Sequence, residues 1–132
     1  MRFMLLMIPK GYETAAPGTM PDAAHVAAMM KFNEEMQKAG VLLSLDGLHP
    51  PSMGARVTFQ NGKPEVVKGP LSNVGEVLGG YWMIRADSLD EAVGWAVRCP
   101  AGSNETIEVR RVQEMEDFSR DVQDRSMAGS GE

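Results

Sequence analysis

Apolar and polar positions along the chain fall into blocks of two periods, and their order predicts the fold. Phe3 to Ile8 is apolar at every position, as expected of a strand covered on both faces. A loop rich in proline and glycine follows, from Pro9 to Pro21. A helix is then predicted from about Asp22 to Ala39. Val26, Met29, Met30 and Met36 form its apolar stripe, and Lys31, Glu34, Glu35 and Lys38 its wet face. Thr19 and Asp22 stand in a T-x-x-D cap relation, and Gly40 suits the left-handed residue that closes a helix.

Val41 to Leu48 reads as a second strand, ended by His49-Pro50-Pro51. Ala55 to Gln60 and Lys63 to Val67 flank Asn61-Gly62, the pair that a type I′ hairpin turn requires, so a peripheral hairpin is predicted there. A loop carries Ser72 to Glu76. Gly79 to Ala86 alternates as a strand, with Trp82 and Ile84 on one face and Tyr81, Met83 and Arg85 on the other. Ser88 and Glu91 make an S-x-x-E capping box for a helix that Pro100 stops. Glu105 to Met115 is the last strand, alternating around Ile107, Val109 and Val112. From Asp117 the chain is polar, and residues 119–132 read as a tail with a loose end at Met127 to Glu132.

Two β-α-β units around one antiparallel sheet make an α+β, ferredoxin-like split βαβ fold over residues 1–118, with the hairpin as an insertion. Both helices then cover one face of the sheet. The first strand is nevertheless apolar on its other face, and Tyr81 and Met83 extend that surface. A second copy of the chain is the economical cover, so a symmetric homodimer is expected.

Composition narrows the function classes. A net charge of −5 argues against a nucleic-acid binder, which needs a basic surface to displace counterions. Cys99 is the only cysteine, so no internal disulfide forms and a cytoplasmic location is expected. The apolar run at the N-terminus is too short for a signal peptide, and no segment is long enough for a membrane span. The 11 methionines fill core and cleft wall adaptably.

The candidate chemistry is sparse. His25 stands in helical register with Met29, Phe32 and Met36, which places an imidazole on or beside the apolar stripe. It is either a general base or an ordinary half-buried histidine. Asp46 and His49 flank the end of the second strand, as a carboxylate–imidazole pair or as a turn. Lys68, Tyr81, Met83 and Arg85 are candidates for ligand binding. The last three equally suit an interface, where aromatic, Met and Arg residues are enriched. No metal-ligand spacing and no nucleotide-binding glycine motif is present, so no cofactor is expected. Cys99 at a helix C-terminus faces the end of the dipole that does not stabilise a thiolate.

The stretch KGPLSNVGEVLGGYWMIRADSLDEAVGWAVRCP, Lys68 to Pro100, resembles the DGPF-motif branch of the YCII-related proteins. Gly69-Pro70, Gly79-Gly80-Tyr81, Ser88-Leu89-Asp90-Glu91-Ala92 and Arg98-Cys99-Pro100 carry the likeness. Upstream, Ala39 to Pro51 looks like the family's helix exit and second strand. The resemblance implies a dimeric α/β barrel of ferredoxin-like protomers, with a cleft on the open face of the sheet. It implies two functions. One is acid-base chemistry on a small organic molecule, as proposed for relatives with a His-Asp pair. The other is a non-catalytic module associated with a protein partner such as an extracytoplasmic-function sigma factor. Lys68 stands in place of the motif's Asp and Leu71 in place of its Phe, so no role of that Asp transfers. His25 is nearest to the pair's histidine, and the position twelve residues on is Gln37.

Overall fold

The computed structural model describes residues 1–71 and 74–129. In chain order the elements are β1 (Arg2–Pro9), α1 (Ala23–Lys38), β2 (Leu42–Gly47), β3 (Ala55–Gln60), β4 (Lys63–Lys68), β5 (Gly80–Arg85), α2 (Leu89–Arg98), β6 (Glu105–Arg111) and α3 (Arg120–Gly129). Strands β2, β5, β1 and β6 lie side by side in that order, all antiparallel. With α1 between β1 and β2, and α2 between β5 and β6, this is the split βαβ arrangement of a ferredoxin-like fold.

Strand alternation sorts the sheet into two unequal faces. Phe3, Leu5 and Met7 of β1 join Trp82 and Ile84 of β5 beneath Phe32 and Met36 of α1 and Ala92 of α2. Both helices therefore cover the same face. Phe32 meets Trp82 edge-on, with centroids 5.7 Å apart. On the opposite face Met4, Leu6, Ile8, Tyr81 and Met83 remain half-buried, as the alternation requires. The expected double burial of β1 is thus complete on one side only.

The helix ends follow from single residues. Asp22 is the N-cap of α1 and its carboxylate accepts the His25 backbone N–H at 2.7 Å. The Thr19 hydroxyl instead donates to the Ala16 carbonyl. Gly40, at φ +74°, closes α1 with paired bonds. Its N–H donates to Gln37 O, and that of Val41 to Met36 O. Ser88 caps α2 by accepting the Glu91 N–H, while the Glu91 carboxylate accepts from the N–H of Asp87.

The hairpin of β3 and β4 is a separate two-stranded sheet, turned by Asn61 (φ 52°) and Gly62 (φ 76°) as the Asn-Gly pair predicts. The last core strand stops at Arg111, four residues short of the expected end, and a single turn at Met115–Asp117 follows. There the Asp117 carboxylate accepts the Glu114 backbone N–H. Most of the polar tail is helical. Helix α3 has no apolar stripe to announce it; ion pairs Arg120–Asp124 and Asp121–Arg125, one turn apart, decorate it. The expected loose end lies outside the described residues from 130 onward, as do Ser72 and Asn73 of the predicted loop. Among the described residues no helix is long and apolar enough to cross a membrane.

Arg2 ties β1 to the segment after β6, its guanidinium donating to both Glu114 carboxylate oxygens at 2.7 and 3.1 Å. The hydrogen bond from Arg2 holds the Glu114 carboxyl below its ordinary range. A carboxyl depressed in the folded state stabilises above the unfolded carboxyl pKa, about 4.3, and that contribution is lost as pH falls through the lower folded value. Glu114→Gln should therefore narrow the pH dependence of the melting temperature on the acid side only. The pair is exposed, so the difference is small.

Candidate functional site

The packing of α1 against the sheet is uneven. Phe32 and Met36, in its second half, are buried, whereas Val26 and Met30, in its first half, are 36% and 58% exposed. The predicted stripe is correct in direction, and its N-terminal half packs only partly, through Met29, against the core. It roofs a cavity of about 710 Å³.

The floor of this cavity is the helix-covered side of the sheet. Met7, Leu45 and Trp82 point to that side, and Gly47 and Gly80 pair opposite each other beside them. A side chain at Gly47 would meet open space, whereas a β-carbon at Gly80 would come within 2.9 Å of the Asp46 carbonyl oxygen, so Gly80 answers to the close approach of β2. Gly79 marks the wall, because a β-carbon there would come within 2.6 Å of the Pro9 ring. Tyr12 closes one end: its hydroxyl donates to the Leu48 carbonyl at 2.6 Å, tying the loop after β1 to the end of β2. Burial pushes the Tyr12 phenol up. Trp82 is fixed by its indole N–H, which donates to Asn33 Oδ1 at 2.7 Å.

Two titratable side chains meet at the rim. His25, in the first turn of α1, places Nε2 3.6 Å from Oε2 of Glu105. The other oxygen of Glu105 accepts the Gly102 N–H at 2.7 Å, which anchors the carboxylate. Both side chains are largely covered, 28% and 17% exposed. Register explains the meeting. Glu105 opens β6 opposite Pro9, on the helix side of the sheet, where the start of α1 overhangs it.

The YCII-related domain model matches residues 1–116. The chain belongs to the YCII-related family. No curated protein matches it.

Within this YCII-related chain the seven candidate residues are dispersed. His25 lines the cavity, and Asp46 and Tyr81 border it. Alternation turns the side chains of Asp46 and Tyr81 to the open face, where the Tyr81 hydroxyl donates to the Asp46 carboxylate at 3.0 Å. His49 is exposed and outside the cavity, so Asp46 has Tyr81 rather than His49 as its partner. Lys68 ends the hairpin, exposed and also outside. Met83 lies on the open face. Arg85 lies at the far end of the sheet, in a smaller depression of about 410 Å³ with Arg2 and Arg111. This cavity is therefore on the helix side of the sheet.

Glu105 is the residue that sequence reasoning did not single out. Its only signal was positional: an acid at the first residue of the predicted last strand. Cys99 sits close by, its thiol 3.8 Å from the sulfur of Met29. Burial, and then the charge of Glu105, push that thiol up to about 12. Only the thiolate reacts, so alkylation of Cys99 at mildly alkaline pH should run at least about 10²-fold slower in the folded protein than in urea. Mass spectrometry after iodoacetamide treatment reads this directly.

Proposed function

We propose that this YCII-related chain binds a small organic molecule in the cavity under α1 and moves a proton on it through His25, with Glu105 as the positioning residue. The observation that carries the reading is the His25–Glu105 pair at the rim of a mainly apolar cavity. An imidazole accepts and donates protons near neutral pH, and a carboxylate beside one nitrogen leaves the other for the ligand. The anchored Glu105 carboxylate holds the ring towards the cavity mouth. At 3.6 Å the two groups are adjacent without a formed hydrogen bond, which is common for such pairs before a ligand closes the site.

The test is metabolite profiling in heavy water. Wild-type protein is incubated with a metabolite extract beside His25→Ala. The reading expects at least one compound that gains deuterium or is converted only by the wild type. Identical profiles, with the cavity shown to be occupied, would contradict it.

The proposal includes a symmetric dimer of barrel type formed through the open face. Met4, Leu6, Ile8 and Met83 support it, since they form one contiguous half-buried apolar stripe. Native mass spectrometry should give twice the chain mass, and a monomer would remove this element while leaving the cavity intact. A second reading, a non-catalytic module holding a protein partner such as a sigma factor, is favoured by the hairpin. Val57, Phe59 and Val66 lie on one hairpin face, 47%, 71% and 56% exposed. Partner capture that depends on Phe59, beside unchanged profiles for His25→Ala, would select it.

A further inference from the structure

The geometry points to a protonated amine on an apolar body as the ligand class of this cavity, and to exclusion of carboxylates and phosphates. This rests on the reading of the cavity as the ligand site and adds the sign of the ligand's charge. Among the described residues, none of those lining the cavity is Lys or Arg. Three acidic residues border it, and two of them, Asp22 and Glu105, keep their carboxylates on the helix side, whereas that of Asp46 turns to the open face.

Their arrangement decides how each acts. Asp22 caps α1, so its charge covers the positive end of the helix dipole that would otherwise attract an anion here. Asp46 is engaged by Tyr81 on the open face. Glu105 is 17% exposed and holds Oε2 at the rim beside the His25 imidazole, with no Lys or Arg among the described lining residues to neutralise it. An anion entering past it meets negative charge in a poorly screened mouth. An ammonium meets a favourable charge, and Trp82 and Tyr12 with the thioether-bearing Met7 and Met29 belong to the lining around it.

The basic residues stand elsewhere. Arg2 pairs with Arg85, and Arg111 lies opposite Phe3, whereas the cavity floor is reached at Met7 and Gly80. The five residue steps from Arg2 to Met7 span about 16 Å of strand. That exceeds the Debye length of about 8 Å at physiological salt, so the arginine cluster does not offset the charge at the cavity mouth. Lys10 follows Pro9 directly, yet its exposed side chain does not line the cavity.

Three probes with one body and different heads test this: phenylbutylamine, phenylbutanol and phenylbutyrate, titrated into the whole chain by isothermal calorimetry at neutral pH. The alcohol reports the cavity itself, and the ratio of amine to acid reports the sign. The expected result is measurable alcohol binding, with the amine at least about tenfold tighter than the acid. In Glu105→Gln the ratio should fall to about threefold or less, with alcohol affinity unchanged, which also shows that the variant is folded. Alcohol binding with amine and acid equal, or with the acid tighter, overturns the inference and leaves the cavity reading standing. An unchanged ratio in Glu105→Gln overturns it as well. No binding by any probe overturns the cavity reading and the inference together.

Discussion

His25→Ala should slow proton transfer on the cavity ligand by roughly 10²–10⁴-fold, the usual contribution of a placed acid–base group. Ligand affinity and melting temperature should stay close to wild type. The reason lies in how α1 begins. Its N-cap bond runs from the backbone N–H of His25 to Asp22, so removal of the imidazole leaves the cap in place. The side chain itself packs at a rim rather than in the core, which lies further along at Phe32 and Met36. Glu105→Gln should cost less, because the amide oxygen still accepts the Gly102 N–H but brings no charge to the imidazole. Turnover by wild type and both variants, with affinities determined separately, distinguishes the roles: a rate effect for His25, a smaller rate effect for Glu105. Equal rates in all three would reduce the pair to an ordinary rim ion pair.

Trp82→Ala should lower the unfolding free energy by about 3–5 kcal/mol, as for other buried aromatic truncations. That is a large share of the 5–15 kcal/mol or so that holds a domain of this size together. Three losses combine. Trp82 is 7% exposed in the centre of the core, so its removal forfeits buried apolar area and leaves a void continuous with the cavity. Its edge contact with Phe32 goes too. Asn33 Oδ1, which accepts the indole N–H, loses its donor. Trp82→Phe keeps much of the ring volume and gives up the hydrogen bond, so it should cost roughly 1–3 kcal/mol. Urea titrations followed by circular dichroism measure both, and a change under 1 kcal/mol or so for the alanine variant would contradict the described core.

These two residues also mark what the sequence made legible. Trp82 announced itself through period-2 alternation, since a strand with Trp82 and Ile84 on one face has a direction whatever covers it. The Asn61-Gly62 turn and the Ser88 cap were equally readable, because each rests on local backbone chemistry. The helical register of His25 with Phe32 and Met36 correctly placed the imidazole towards the sheet. Its partner was not readable. Glu105 reaches His25 only because β6 pairs with β1 so that Glu105 faces Pro9, a register that no local pattern encodes. Periodicity likewise gave Val26 and Met30 the right side of α1 but not the gap beneath them. Spacing joined Asp46 to His49, whereas strand alternation gave Asp46 to Tyr81.

In the proposed reading the ligand site lies between α1 and the sheet, not on the open face. The methionines report on both places. Met7, Met20, Met29 and Met30 line the cavity, while Met4 and Met83 lie on the opposite side of the sheet. With isotope-labelled methionine methyl groups, a phenylbutanol titration followed by NMR should shift the first four signals and leave Met4 and Met83 in place. Shifts confined to Met4 and Met83, with the cavity methionines silent, would contradict the account.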